Sequence, residues 1–287
     1  MDWLPVAKVG IAFTMLALAS WSDWRTRLAS DAHWIVIGTF GLIFLAYEMF
    51  QDPVSPLYYL FLVPLGVLFF DIFWDDEGDI PKALHVIAVL VFLVLVLLFW
   101  SAQYFWELIS IPAVVLVLIL LYYLDIVKGG ADVKALISLA IMFPVYPIFD
   151  GLPLVNVPTE MVQYAFPFTI VVLFNAALMV MVFPLAYVMV NLVRGDRGFP
   201  EMLFGYRMTI PEARKRFVWP MQGFNDGELK TFLFPREVDE DQDMFQELEE
   251  AGLERIWVTP KIPFLIPIAA SLLVSAVVGN PLFLMFG

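Results

Sequence analysis

The chain contains no cysteine. That excludes disulfides, thiolate nucleophiles and cysteine-held metals. Histidine is almost as scarce: His33 and His85 are the two present, and no His-Glu-x-x-His run occurs. A zinc site would need carboxylates to complete it, so neither a metal nor another cofactor is expected. Charged residues make up 16% of the chain, against about a quarter in a soluble domain. Their balance is acidic, with a formal net charge of −13. This argues against nucleic acid as a partner and fits partners that carry positive charge.

Apolar residues fill the space. Of 287 residues 61% are hydrophobic, and the mean hydropathy is +0.83. About 20 mainly apolar residues cross a bilayer core. Eight stretches qualify: 4–21, 32–50, 56–74, 82–100, 104–124, 132–150, 163–193 and 262–285. The first has no small-x-small cleavage pattern before Asp23 and reads as a retained helix. The sixth carries Pro144 and Pro147, which predict a kink or irregular backbone near its far end. The seventh is long enough to tilt or protrude. The expected fold is an all-α polytopic membrane protein with about eight transmembrane helices (six to eight) and a small cytoplasmic α/β insertion before the last. Its expected parts are a membrane core at 1–193, the insertion at 194–261 and a final transmembrane helix at 262–287. In the insertion, 209–216 reads as a helix start with Pro211 at its head, 245–253 as a helix ending near Gly252, and 256–260 as a strand.

Loop charges give the orientation. Arg25 and Arg27, Lys82, Lys128 and Lys134, and Arg194 and Arg197 fall in alternate loops. The loops between them, at 51–55, 101–103 and 150–163, contain no Lys or Arg. Of the 16 basic residues only Lys8 departs from the pattern. The positive-inside rule then places the N-terminus outside the cell membrane and the basic loops in the cytoplasm.

Two carboxylates stand out against this background. Asp23 closes the first span in Ser22-Asp23-Trp24-Arg25-Thr26-Arg27, and Asp132 opens the sixth in Gly129-Gly130-Ala131-Asp132-Val133-Lys134. Taken singly, each also reads as a solvated or helix-capping charge at the interface. Four spans separate them, an even number, so both lie at the cytoplasmic face. Two carboxyl groups sharing one proton can hydrolyse a peptide with water, because their mutual repulsion keeps one ionised and one neutral. Gly129 and Gly130 permit a backbone that other residues resist and leave room for a peptide to approach; they also read as the turn of a tight loop between two spans. Arg25 and Arg27 read as positioning this loop or lowering a carboxylate pKa, or else as charges that fix the orientation of the first span. Asp75, Asp76 and Glu77, with Asp71 and Asp79, crowd the loop after the third span on the same face. They read either as a solvated acidic loop or as an attractor for a basic peptide, at about 1 kcal/mol or less per exposed pair.

The two aspartate runs together resemble the archaeal preflagellin and type IV prepilin peptidases, which are membrane aspartic proteases. The family carries a first Asp at the inner end of its first span, followed by basic residues, and a second in a Gly-x-hydrophobic-Asp motif opening a later span. The matching residues are Asp23 with Arg25 and Arg27, and Gly129-Gly130-Ala131-Asp132 followed by Lys134. The run Trp257-Val258-Thr259-Pro260-Lys261-Ile262-Pro263-Phe264 and the insertion before it are also similar. The resemblance implies an aspartic endopeptidase with Asp23 and Asp132 catalytic. Its partner would be a flagellin or pilin-like precursor whose short basic leader is cut at the cytoplasmic face. Family members typically have about six spans, two of them between the aspartates; this chain has four there. Bacterial relatives often carry a cysteine-rich loop and an N-methyltransferase activity, so the absence of cysteine predicts cleavage without methylation. A presenilin-like intramembrane protease and an ion- or proton-coupled transporter are the other readings of the same carboxylates. No repeated broken helices support the transporter.

Overall fold

The structure, a computed structural model, describes residues 3–52, 54–74, 78–124, 126–127, 129–155, 166–225, 227–233 and 244–285. Lipid cannot hydrogen-bond a peptide group, so a long apolar run must satisfy its backbone internally, and a helix does so locally. The described helices follow this rule. α1 (Trp3–Thr26) and α2 (Asp31–Gln51) come first, α2 opening on Ser30, whose hydroxyl accepts from the Ala32 amide. Pro56 begins a 3-10 segment, Pro56–Phe61, that runs straight into α3 (Leu62–Asp71). At about 2.0 and 1.5 Å per residue the pair rises about 27 Å, close to the ~30 Å hydrocarbon core. α4 (Asp79–Phe99), α5 (Gln103–Tyr123) and α6 (Gly130–Met142) come next. The seventh apolar run forms α7 (Phe168–Val180) and α8 (Val182–Arg194), and the last forms α9 (Leu265–Val277).

Five described helices are long and apolar enough to cross a membrane: α1, α2, α4, α5 and the run Phe168–Arg194. The outward face of α4 shows why water is the wrong solvent for it. Val86, Val89, Leu90, Leu93 and Leu97 are all exposed, Leu97 by 84%. The sixth run is helical only to Met142. Pro144 offers no amide and disfavours helical geometry at the residue before it. Phe143 accordingly leaves the helix at φ −126°, ψ 71°, and 143–155 continues as irregular chain.

The chain forms two units, Met1–Ala177 with Pro263–Gly287, and Leu178–Ile262. In the first, α6 is central. It packs on α2 and α5, while α1 packs on α2, α6 and α9. Every residue of α6 from Ala135 to Met142 is buried. The core around it includes Leu16, Trp34, Phe61, Phe69, Phe105 and Leu272. The helices come close because small residues lie between them. A Cβ on Gly41 would sit 2.8 Å from the backbone nitrogen of Met142, and one on Gly38 would occupy the place of the Phe69 ring. Asn175 on α7 donates to the Ser275 hydroxyl at 2.8 Å and to the Gly279 carbonyl at 3.1 Å. Lys8, whose side chain is 5% exposed, pairs with Glu48 at 2.6 Å, joining α1 to α2.

The second unit contains a three-stranded antiparallel sheet in the order β1 (Tyr206–Thr209), β5 (Arg255–Pro260), β2 (Val218–Pro220), and a hairpin of β3 (Gln222–Asn225) with β4 (Glu228–Thr231). The register aligns Tyr206 with Val258 and Thr209 with Arg255. A turn of helix, Ile210–Ala213, begins with Pro211 in its first turn, and a helix at Met244–Glu250 is followed by Gly252 at φ 79°. Met208, Ile210, Val218, Leu248, Ile256 and Val258 form the core.

The α2–α6 contact predicts a specific sensitivity. Gly41→Ala is expected to cost about 1–3 kcal/mol, because backbone atoms must give way. Gly10→Ala meets nothing within 4 Å and serves as the control. Thermal unfolding in detergent should separate the two. Equal unfolding temperatures would show that the helices are not held at this distance.

Candidate active site

Asp23 lies in the last turn of α1, half-buried, and its carbonyl accepts from the Arg27 amide at 2.9 Å. The chain then turns sharply. Arg27 adopts the left-handed conformation at φ 60°, and Ser22 donates its hydroxyl to the Leu28 carbonyl at 2.9 Å. Thr26 donates to the Ser22 carbonyl at 2.9 Å. The turn is thus tied down by its own side chains. Arg25 lies over the Trp21 ring at 4.3 Å and Arg27 over Trp24 at 5.9 Å.

Asp132 lies in the first turn of α6, also half-buried. α1 packs on α6, and the charge of Asp23 is felt at Asp132. The Arg27 cation acts on Asp23 with the opposite sign, as an attraction. Two of the expected site residues, Asp23 and Asp132, are therefore brought together from opposite ends of a long stretch of chain. Among the described residues no group of three or more His, Cys, Asp or Glu is arranged to hold a metal.

The glycines act differently from one of the two expectations. Gly129 has φ −83° and ψ 115°, an ordinary extended backbone, and Gly130 begins the helix. Neither has a positive φ. What Gly129 supplies is space: a Cβ there would collide with the Asp132 carboxylate. Above Gly130 the nearest atom to such a Cβ is the Tyr122 hydroxyl at 4.0 Å, so the approach is open. Ala131 is half-buried beside them.

Lys134 is engaged. Its ammonium donates to both oxygens of Asp31, at 2.9 Å each, and lies 5.1 Å from the centre of the Phe73 ring. Asp31 opens α2, so this pair ties the start of α2 to the start of α6. Sequence reasoning passed over Asp31 because an acidic residue in a first turn is ordinary; its partner is far off in the chain. Asp71 meets His85 Nε2 at 3.0 Å, and His85 Nδ1 lies 2.7 Å from the Pro81 carbonyl oxygen. His33 Nδ1 meets the Ser30 carbonyl at 2.8 Å. Asp75, Asp76 and Glu77 lie outside the described residues.

Residues 199–280 match the family model described as archaeal peptidase A24 C-terminus, type II. Over most of its length the chain is similar to the preflagellin peptidase of Methanococcus maripaludis, with 30% identity across 276 residues, 92% of each protein. The preflagellin peptidase of Methanococcus voltae is 26% identical over 159 residues, 53% of this chain and 64% of the relative. That of Methanocaldococcus jannaschii is 28% identical over 163 residues, 55% and 65% respectively. The chain belongs to the archaeal preflagellin peptidase family. It is accordingly a peptidase, and its apolar helices make it a multi-pass membrane protein.

Gly129→Ala tests the role of space. The new methyl displaces the Asp132 carboxylate without straining the backbone, so a peptidase that works through Asp132 should lose activity about tenfold or more. The unfolding temperature should stay near that of the wild type. Unchanged activity would mean that the position of Asp132 does not matter.

Proposed function

We propose that this chain is an aspartic endopeptidase that removes a short basic leader from a preflagellin or pilin-like precursor at the cytoplasmic face. Asp23 and Asp132 are the proposed dyad. The observation that carries most weight is that α1, which ends with Asp23 in its last turn, packs on α6, which opens with Asp132 in its first, and that the Asp23 charge is felt at Asp132. Like charges so placed favour a state with a single shared proton.

In that state one carboxylate takes a proton from water while the water oxygen bonds to the scissile carbonyl carbon. The neutral partner gives its proton to the carbonyl oxygen. The resulting gem-diol collapses as the C–N bond breaks: the protonated carboxyl gives its proton to the departing amine while the other carboxylate takes one from a gem-diol hydroxyl, leaving the dyad singly protonated again. Gly129 and Gly130 keep the approach to Asp132 uncluttered. Lys134 is neutralised by Asp31, which removes one cation from the path of a basic leader.

The cytoplasmic face is supported by the charge of the loops, since Arg25, Arg27 and Lys134 flank the two aspartates. The substrate is inferred from relatives named preflagellin peptidases.

Asp23→Asn and Asp132→Asn should each lower cleavage of a basic-leader precursor by about 10²–10⁴-fold. Both proteins should still insert in membranes and unfold at near wild-type temperature. Full cleavage by Asp132→Asn would overturn the dyad.

A further inference from the structure

The second unit has a cavity of about 390 Å³ whose wall includes Arg194, Arg207, Arg216 and Arg255, with Tyr206 and Glu212. The chain as a whole is acidic, so four arginines around one cavity run against its composition. Their charges are only partly cancelled locally. Among the described residues only Arg255 of the four has an ion pair, a two-pronged one with Asp196 at 2.8 and 3.2 Å. Asp196 is buried, so this pair fixes the Arg255 fork in place. Arg207 lies over the Trp257 ring at 5.1 Å, and its Nε is buried without a hydrogen-bond partner. Arg194 lies over the Tyr206 ring at 5.7 Å. Glu212 is the carboxylate on the wall, and the cavity stays positive after both acids are counted.

Planar guanidinium forks match the oxygens of a phosphate ester, which accepts several charge-assisted hydrogen bonds at once. The position of Arg194 indicates where that ester comes from. It is the last residue of the apolar run Phe168–Arg194, which has 27 residues. At about 1.5 Å per residue such a run is about 40 Å long, enough to cross the ~30 Å core and end among headgroups. Met189, Val190, Leu192 and Val193, just before it, are exposed, Val193 by 88%, and need lipid around them.

We propose that this cavity binds the phosphate ester of an anionic phospholipid headgroup. The site is independent of the proteolytic dyad. An anionic leaflet surface would favour it further, because basic groups at that depth are drawn to acidic lipid.

The test is native mass spectrometry of the full chain, delipidated in non-ionic detergent and then offered phosphatidylglycerol, phosphatidylcholine or inorganic phosphate. The wild type should retain one phosphatidylglycerol in clear preference to phosphatidylcholine, whose choline cation opposes the arginines. The Arg207→Gln/Arg216→Gln double variant should lose about tenfold in retention, the effect of about 1.4 kcal/mol in charge-assisted hydrogen bonds. Arg216→Gln alone, at an exposed and unpaired side chain, should lose part of it, which covers the case in which the double variant folds poorly. Lys215→Gln, whose residue is not on the cavity wall, should lose none. Equal retention by wild type and Arg216→Gln, or equal retention of the two lipids, would overturn the proposal. Retention of inorganic phosphate without phosphatidylglycerol would assign the cavity to a free anion and overturn the lipid source.

Discussion

The close approach of α2 and α6 is the constraint on which the rest of the membrane unit depends. In lipid no hydrophobic force drives helices together, so packing contact and a few polar links must hold them. Gly41 lets the backbone of α2 reach that of Ile141 and Met142, and Gly38 admits the Phe69 ring. At the other end of the same pair of helices Lys134 and Asp31 close the contact. α6 is thereby enclosed on all sides over its second half, and its first turn is the part left half-buried. Asp132 sits in that turn. The position of one proposed catalytic carboxylate therefore follows from two missing side chains on a different helix.

α1 brings in the other carboxylate, and its two ends are held by different means. Near its start Lys8 is buried against Glu48 of α2. This lysine is the one basic residue that breaks the charge asymmetry of the loops, and its pairing explains how it is tolerated. A buried ion pair gives back little net stability after desolvation, but misaligning it is costly, so it favours one register of α1 against α2. At its far end α1 stops in a turn tied by Ser22, Thr26 and the left-handed Arg27. Register at one end and a fixed stop at the other leave Asp23 little freedom beside α6.

Much of this was legible because the solvent simplifies the problem. A chain in hydrocarbon has one local way to satisfy its backbone, so long apolar runs read directly as helices, and isolated charges stand out against them. Asp23 and Asp132 stand out that way, and the early end of α6 is readable in Pro144. What escaped depends on pairing between distant segments. Asp31 looks like any acidic residue at a helix start until Lys134 is seen across from it. Gly129 reads as a conformational glycine, yet its backbone is ordinary and its value is the room it leaves Asp132. In the second unit the Arg255–Pro260 strand and the turn at Ile210 were visible locally. The order β1-β5-β2 was not, because strands of three to six residues pair through contacts that no local pattern encodes. The arginine cavity draws on positions 194, 207, 216 and 255, which share no spacing.

The location of the proposed dyad limits what it can cut. A peptide bond inside a helix has its carbonyl engaged and its flanks covered, so hydrolysis requires local unwinding first. Asp23 is in the last turn of α1 and Asp132 in the first turn of α6, both half-buried rather than enclosed. Carboxylates so placed meet a substrate where its chain leaves the hydrocarbon, where its peptide groups are free to hydrate and extend. A leader that stops just short of a hydrophobic helix presents its scissile bond there without unwinding anything. This favours a juxtamembrane cut over one in the middle of a buried helix, and it gives water the access that the proposed hydrolysis requires.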